Sequence, residues 1–295
     1  MELRQLRYLV AVVDEGGFTK AAAKLHVAQP GISAQVRQLE RELGESLLDR
    51  SGRVVLPTAA GRAVLPHARA ALRAVLEVHT AVDELAGLVR GRVGVGTVTS
   101  HNVDIPGLVA EFHRRYPGVE ITLTESDSTS LIDRLGAGRL DLALIGTTET
   151  APAGLEILRL AEEPLVAAVT PGDRLARAET VSLSTLITRD LICLSPGTAV
   201  RAALDAACAR KRLQPRVMFE SGNPGTCARL AERGLGVGVL QKSIIDNRPE
   251  LRGIPIVRPQ LRGWLALAWR SDGPLSPAAR HLVSLARKLL PSPDD

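Results

Sequence analysis

The chain has 295 residues, 45% of them hydrophobic and 23% charged, which predicts two or three globular domains and excludes a disordered polymer. It shows neither a signal-peptide pattern nor an apolar run long enough for a membrane span, which predicts a cytoplasmic protein with no membrane partner. Its three cysteines lie at least 15 residues apart, so we expect reduced thiols and neither a disulfide framework nor a metal site.

The positive charge is concentrated near the N-terminus. The formal net charge is +5, and residues 1–73 contain 11 Lys or Arg against 7 Asp or Glu. The rest of the chain contains 26 against 25. This distribution favours an acidic polymer as a partner of the N-terminal part. A merely soluble basic surface has the same composition, so charge alone does not decide.

Residues 6–43 show the spacing of three short helices. In the first, apolar residues recur at intervals of three and four, and Gly16-Gly17 end it. The second ends at a break at Val27–Ala28, and Pro30 suits the first turn of the third. The third helix has an apolar stripe that we expect to be buried, formed by Ile32, Val36, Leu39 and Leu43.

The opposite face of the third helix is polar. Two short helices joined by a tight turn match a helix-turn-helix, whose second helix enters the major groove of DNA. Gln, Ser and Arg side chains bond base edges or phosphates there, and small residues allow close approach. An ordinary surface helix of a three-helix bundle has the same pattern. The predicted DNA contacts on this helix are Gln29, Pro30, Ser33, Ala34 and Arg37.

Residues 47–55 resemble a small hairpin with Ser51-Gly52 at its tip. Arg50 and Arg53 flank the tip, where they are placed to contact the DNA backbone or the minor groove. A basic hairpin directly after a recognition helix is typical of a winged helix-turn-helix. We assign this domain to residues 1–58.

A long helix is predicted from Thr58 to about Arg90. A lone helix of this length needs a partner, and a second copy of the same helix is the simplest one. We therefore assign residues 59–90 to a linker helix through which the chain forms a homodimer. Its apolar positions alternate steps of three and four, as a coiled-coil seam does: Leu65, Ala68, Leu72, Val75, His79, Val82, Ala86 and Val89.

One set of residues spread over the first ninety positions carries a family resemblance: Ala22-Ala23, Leu25, Gln29-Pro30, Ser33, Val36, Leu39-Glu40, Gly44, Leu47, Arg50, Thr58, Ala60 and Gly61. They resemble the DNA-binding end of LysR-type transcriptional regulators. The resemblance implies a DNA-binding regulator of promoters that is not an enzyme, needs no cofactor and forms a homodimer or homotetramer. Ala28 departs from the pattern, because the family often has a Ser or Thr there that caps the helix.

The remaining two hundred residues alternate strands and helices, which predicts doubly wound α/β sheets in two lobes. The predicted strands are 93–98, 119–124, 141–145, 155–160 leading to 164–170, 191–194, 216–219 and 236–240, and the helices are 102–116, 129–137, 198–210, 225–233 and 276–290. The pattern is similar to the two-lobed, periplasmic-binding-protein-like effector domain of LysR-type regulators. That resemblance implies a lobe I of residues 91–161 and 267–295 and a lobe II of residues 162–266.

Ligands of such sheets bind beyond the carboxyl ends of the strands, against helix N-termini. Hydroxyl and amide side chains beside free N–H groups favour a small anionic effector, most simply a carboxylate. Ser, Thr and Asn are also preferred helix caps, so each position has that alternative function. The predicted effector contacts are Thr99, Ser100, Ser128, Thr129, Thr147, Thr198, Asn223 and Thr226.

Two alternatives remain for this part of the chain. Cys227 falls in the first turn of a helix, where the dipole would lower its pKa, as in a thiol-based redox sensor. The redox-sensing members of the family carry a closely spaced reactive pair, which favours structural thiols here. An α/β enzyme is the second alternative, but the run that begins Gly94-x-Gly96 has Thr99 where a dinucleotide fingerprint needs glycine. We predict no catalytic residue and no metal ligand.

Overall fold

The computed structural model describes residues 1–85, 89–99, 103–147, 151–271 and 275–290, with the backbone alone at 76–77 and 79–85. In chain order, an N-terminal helical unit is followed by one long helix and then by a ten-stranded mixed sheet whose strands alternate with helices. None of the helices in these ranges combines the length and the apolar character needed to cross a bilayer.

Three helices and a hairpin make the N-terminal unit: α1 Leu3–Glu15, α2 Phe18–Leu25, α3 Gln29–Leu43, β1 Leu48–Asp49 and β2 Leu56–Pro57. Gly16 ends α1 in the left-handed conformation at φ 68°, as the Gly16-Gly17 pair predicts. The predicted buried stripe of α3 is confirmed at three positions. It is wrong at Leu43, which lies in the last turn and is 42% exposed, while the buried positions are Ile32, Val36 and Leu39.

The hairpin of β1 and β2, which we call the wing, is joined directly to the long helix α4, Ala59–Leu85. Thr58 caps α4, since its Oγ1 accepts a hydrogen bond from the Gly61 N–H at 3.0 Å and donates to the Ser46 carbonyl at 2.6 Å. A Cβ on Gly61 would lie 2.0 Å from the Leu47 carbonyl oxygen, so only glycine allows this approach. These contacts fix the angle at which α4 leaves the wing.

Both ends of the predicted seam of α4 pack against other parts of the same chain, the first end in the N-terminal unit and Val89 against the following lobe. Leu65 and Ala68 are buried in the core of the N-terminal unit, with Leu72 packed beside them. The first seam positions therefore pack inside the protomer, whereas Val75 is 42% exposed. The side chains of His79 and Val82 and the whole of Ala86 lie outside the described residues, and Val89 packs against the core of the following lobe.

The first lobe, lobe I, is built on the sheet order β4-β3-β5-β12. The first three of these strands are parallel and β12 pairs antiparallel with β5. Its apolar core includes Phe112, Leu144 and Leu282. The elements are β3 Gly91–Thr97, α5 Ile105–Arg115, β4 Val119–Glu125, α6 Ser128–Gly136, β5 Leu142–Thr147, β12 Arg262–Arg270 and α11 Pro277–Leu289.

The second lobe, lobe II, has a separate apolar core drawn from residues between Leu165 and Leu261. Its elements are β7 Val181–Ser182, α7 Leu183–Leu186, β8 Leu191–Leu194, α8 Ala199–Arg210, β9 Val217–Ser221, α9 Pro224–Glu232, β10 Val237–Gln241, α10 Lys242–Asp246 and β11 Arg252–Val257, with a 3-10 turn at Arg174–Arg177.

The strand β6, Leu155–Val169, runs through both lobes. Its first part, Leu155–Pro164, pairs with β12 in lobe I, and its last residues pair with β10 and β11 in lobe II. Two strands therefore connect the lobes, because β12 starts at Arg262, opposite Pro164. The sequence predicts β6 only as separate pieces near 155–160 and 164–170.

Candidate functional sites

The first turn of α3 presents a polar surface. Gln29, Pro30, Ala34 and Arg37 are exposed and Ser33 is half-buried, so all five predicted positions reach the surface or its edge. The N-cap residue is Ala28, which offers no side-chain acceptor. Pro30 has no N–H and the Gly31 N–H donates to the Ala28 carbonyl at 3.0 Å, so the first turn of α3 is closed by its own backbone and its polar side chains are left to bond DNA.

The wing arginines have different surroundings. Arg50 donates from Nη2 to Glu40 Oε2 at 2.6 Å, and its guanidinium lies 5.1 Å from the centre of the Phe18 ring. Glu40 in turn accepts the Leu47 N–H at 3.0 Å. Arg50 thus holds the wing against the helices as well as lying at the predicted DNA surface. Arg53 is exposed near the tip.

A shallow groove between α3 and the wing contains one arginine that sequence reasoning missed. Arg62, exposed in the first turn of α4, lines the groove together with Arg37 and Arg50. Glu40 and Asp49 lie there too, so the local excess of positive charge is small. The sequence assigned Arg62 to the linker helix, although it follows the capping residue of that helix by only four positions.

A cavity of about 540 Å³ lies between the two lobes. It opens where β3, β4, β8 and β10 end and where α6, α8 and α9 begin, which is the ligand position of open α/β sheets. We call this cavity the cleft. Four of the predicted effector contacts line it: Thr99, Ser128, Thr198 and Asn223.

The other predicted effector contacts lie elsewhere. Thr129 is exposed and bonded to Gly197 across the lobes, and Thr147 is buried on β5. Thr226 donates its backbone N–H to the Asn223 Oδ1 at 3.1 Å, and neither it nor the other two is among the residues that line the cleft. Ser100 lies outside the described residues. Thr198 and Asn223 both cap helices, so the alternative function of these residue types is present at the same positions.

Two acidic residues of lobe I also line the cleft, and sequence reasoning missed them. Glu125 is the last residue of β4, and its carboxylate accepts a hydrogen bond from the Thr99 hydroxyl. Asp127 caps α6, accepting the Ser130 N–H at 2.9 Å and the Ser130 hydroxyl at 2.6 Å. These bonds lower the pKa of Asp127, so its carboxylate is ionised at neutral pH. Their position before a helix was the available signal, but the prediction considered only hydroxyl and amide side chains.

The thiols are buried. Cys227 lies in α9 with its Sγ 3.4 Å from the Cys193 carbonyl oxygen. Burial raises the pKa of Cys227 to about 11 and the pKa of Cys193 to about 12. The prediction that the helix dipole would lower the pKa of Cys227 is therefore wrong, because desolvation dominates. Both sulfurs are protonated near neutral pH and lack the thiolate character of a reactive cysteine.

The glycines of the possible nucleotide loop lie inside a strand. Gly94 and Gly96 belong to β3, and a Cβ on Gly96 would lie 2.6 Å from the Leu131 Cδ2. Gly96 allows α6 to pack closely on the sheet, and neither glycine belongs to a phosphate-binding turn.

A winged helix-turn-helix, a long helix and two α/β lobes around a cleft define a DNA-binding regulator with a ligand-binding domain. Residues 3–62 match the family described as "Bacterial regulatory helix-turn-helix protein, lysR family", and residues 86–291 match "LysR substrate binding domain". The RuBisCO operon transcriptional regulator of Allochromatium vinosum is 31% identical over 95% of this chain and 93% of its own length. The chain belongs to the LysR family of bacterial transcriptional regulators.

Two solved structures of full-length regulators are similar in fold to this chain over nearly its whole length. A full-length OxyR from Pseudomonas aeruginosa has a TM-score of 0.72 at 26% identity, over 98% of this chain and 95% of its own. Full-length CbnR complexed with its target DNA has a TM-score of 0.59 at 25% identity, over 98% of this chain and 99% of its own. The predicted family and fold are confirmed, and this chain is a DNA-binding transcriptional regulator with an effector-binding domain.

Proposed function

We propose that this regulator reads promoter DNA with the first turn of α3 and with its wing, and that a small anion bound in the cleft controls the binding. A carboxylate is the simplest such anion. The observation that carries the effector half is the meeting of strand ends and helix N-termini from both lobes at one cavity of about 540 Å³.

On the DNA side, the surface divides into readers and anchors. Gln29 and Ser33 lie in the first turn of α3, where a recognition helix meets base edges, and we assign them to sequence reading. Pro30 and Ala34 allow the close approach. The side chains assigned to the phosphate backbone carry positive charge: Arg37, Arg50, Arg53 and, in addition, Arg62.

The anion site is assigned to the lobe II wall of the cleft. Ala199 and Val200 are the first two residues of α8 and line the cleft, and the N–H groups of a first helical turn have no acceptor inside the helix. Thr198 and Asn223 add a hydroxyl and an amide at two neighbouring helix starts. Together these groups suit a carboxylate.

The connection between the lobes supports control by rotation. β6 pairs with strands of both lobes, and the chain returns to lobe I at the start of β12. A ligand that touches both walls therefore biases the lobe angle. We keep the proposed domains 1–58, 59–90, 91–161 with 267–295, and 162–266. The pairing of Arg262 with Pro164 favours a return to lobe I a few residues earlier, near 262.

We further propose that the chain assembles as a homodimer through α4, with two dimers forming a tetramer. Val75 and Val78 are 42% and 65% exposed on one side of that helix, which supports a partner at this point. Its promoter-DNA partner supports a cytoplasmic location, and the matching relatives are named as regulators, which supports a function other than catalysis.

A thermal-shift screen of metabolites tests the effector half. Ser195 lines the cleft, and Ser195→Leu fills part of the cavity, whereas Thr180→Leu places the same side chain on an exposed position of lobe II. An effector should raise the melting temperature of the wild type and of Thr180→Leu but not of Ser195→Leu. Ligands that stabilise Ser195→Leu equally would overturn the assignment of the cleft.

A further inference from the structure

The two walls of the cleft differ in charge. The lobe I wall carries the carboxylates of Glu125 and Asp127, and the lobe II wall carries the N-termini of α8 and α9. The lining residues that the structure describes include no Lys, Arg or His. The cleft therefore has negative charge on one side and partial positive charge from helix ends on the other.

Within the described residues, the hydrogen-bond partners of these two carboxylates carry no charge. Glu125 is bonded to the hydroxyl of Thr99, and Asp127 to the hydroxyl and N–H of Ser130, which are neutral groups. Arg201 lies in α8, the helix whose first residues line the opposite wall, and its guanidinium is paired with Asp205 at 2.9 Å and with Glu220. The charge of Arg201 is thus neutralised within lobe II.

A third group in the cleft lacks a donor. The Oε1 atom of Gln241 is buried at the end of β10 and has no hydrogen-bond donor within the described part of the chain. Gln241 lines the same cavity. A buried acceptor without a donor costs free energy, so it is suited to an N–H or O–H group of a ligand.

Resting on the proposed function of the cleft, we infer that the effector carries a cationic amine together with its carboxylate, so that the ligand class is an amino acid. The carboxylate lies at the N-terminus of α8, and the ammonium group lies towards Glu125 and Asp127. A carboxylic acid without an amine would leave both carboxylates unpaired beside a second anion. An amine without a carboxylate would leave the α8 N–H groups without an acceptor.

Matched ligands test the inference by isothermal titration. For each proteinogenic amino acid the panel contains three compounds: the amino acid, the 2-hydroxy acid in which a hydroxyl replaces the amino group, and the amine in which the carboxylate is absent. At least one amino acid should bind the full-length protein, and both of its analogues should bind on the order of tenfold or more weakly, as the loss of one charge-assisted hydrogen bond predicts.

Two variants assign the discrimination to the acidic wall. Glu125→Gln and Asp127→Asn remove charge with little change of shape, and Asn keeps the ability to cap α6. Both variants should bind the amino acid more weakly than the wild type does, while their affinity for the matching 2-hydroxy acid should stay nearly that of the wild type. Glu120→Gln is the control, because Glu120 is an exposed acid on the same strand, outside the cleft.

The outcomes separate the inference from the proposed function. Binding of 2-hydroxy acids as tightly as amino acids, or an amino acid that binds Glu125→Gln and Asp127→Asn unchanged, overturns the inference but leaves the cleft as the effector site. Binding by no member of the panel also overturns the inference. Amino-acid binding that survives Ser195→Leu in full overturns the proposed function of the cleft itself.

Discussion

Thr129 donates both its backbone N–H and its Oγ1 to the carbonyl oxygen of Gly197, each at 3.2 Å. Thr129 belongs to α6 of lobe I, and Gly197 belongs to the loop before α8 of lobe II. These two hydrogen bonds to one carbonyl oxygen join the lobes at the edge of the cleft. Gly197 has φ 92°, a backbone conformation that favours glycine. Glycine at this position therefore lets the loop direct its carbonyl oxygen towards Thr129.

We predict that Thr129→Val loosens this tie. The variant keeps the N–H bond and the side-chain shape but loses the hydroxyl donor, which should lower the free energy of unfolding by about 1 kcal/mol. Hydrogen exchange of the amides near Gly197 should become faster, because the lobes separate more often. Thr180→Val, at an exposed site of lobe II, should leave both quantities unchanged. Unaltered exchange in Thr129→Val would contradict the tie.

The other end of α6 is held by the long helix α4. Arg73 donates from Nη1 to the Gly138 carbonyl at 2.7 Å, and Arg69 donates to the Ala137 carbonyl at 3.2 Å. Arg69 is 6% exposed and also pairs with Asp14 of α1. The single helix α6 therefore extends from the cleft to the helix that carries the DNA-binding unit.

We expect Arg73→Met to uncouple these parts. In the wild type, the N-terminal unit and the effector domain should unfold together in one calorimetric transition, because α4 is bonded to lobe I. Removing the bond to Gly138 should split or broaden that transition. Arg62→Met is the matched control, because Arg62 lies on the same helix and its guanidinium bonds the Pro57 carbonyl of the wing. A single sharp transition in Arg73→Met would show that the contact does not couple the parts.

The amino-acid sequence predicted the helices that position both sites. The break at Val27–Ala28 and the stripe through Ile32 place α3, and the caps Thr198 and Asn223 place α8 and α9, because these signals are local. The sequence predicted two separate pieces, near 155–160 and 164–170, whereas β6 is one strand that continues from one core into the other.

The lining of the cleft was less predictable. Which side chains face it depends on the packing of one lobe on the other, and residues far apart in sequence decide that packing. Thr129 followed the local rule for an effector contact, yet the structure uses it to bond Gly197. Asp127 was missed because a capping carboxylate carries no sequence sign that distinguishes it from one that also faces a ligand.

A third prediction separates DNA readers from anchors. Gln29→Ala and Ser33→Ala should change the preferred base sequence, each altering discrimination by roughly 1–3 kcal/mol if the contact is direct. Arg53→Ala should weaken binding to all DNA alike and reduce the salt dependence of log K by about one unit of slope. Fluorescence anisotropy on specific and random duplexes at several salt concentrations measures both. Equal losses on both duplexes for all three variants would refute the division.

The last prediction concerns acid stability. Hydrogen bonds from the Ser130 hydroxyl and N–H hold the pKa of Asp127 below its usual value, so the folded chain binds this proton less tightly than the unfolded chain. The stabilisation is therefore complete above the unfolded pKa of about 3.9 and is lost as the pH falls through the lower folded pKa. Asp127→Asn cannot titrate and keeps the cap, so its free energy of unfolding should depend less steeply on pH over this range. Ser130→Ala should move the loss to higher pH, because the hydrogen bond from the Ser130 hydroxyl is the largest single cause of the lowered pKa. Urea unfolding between pH 3 and pH 7 measures the three curves, and curves of equal slope would show that Asp127 does not contribute.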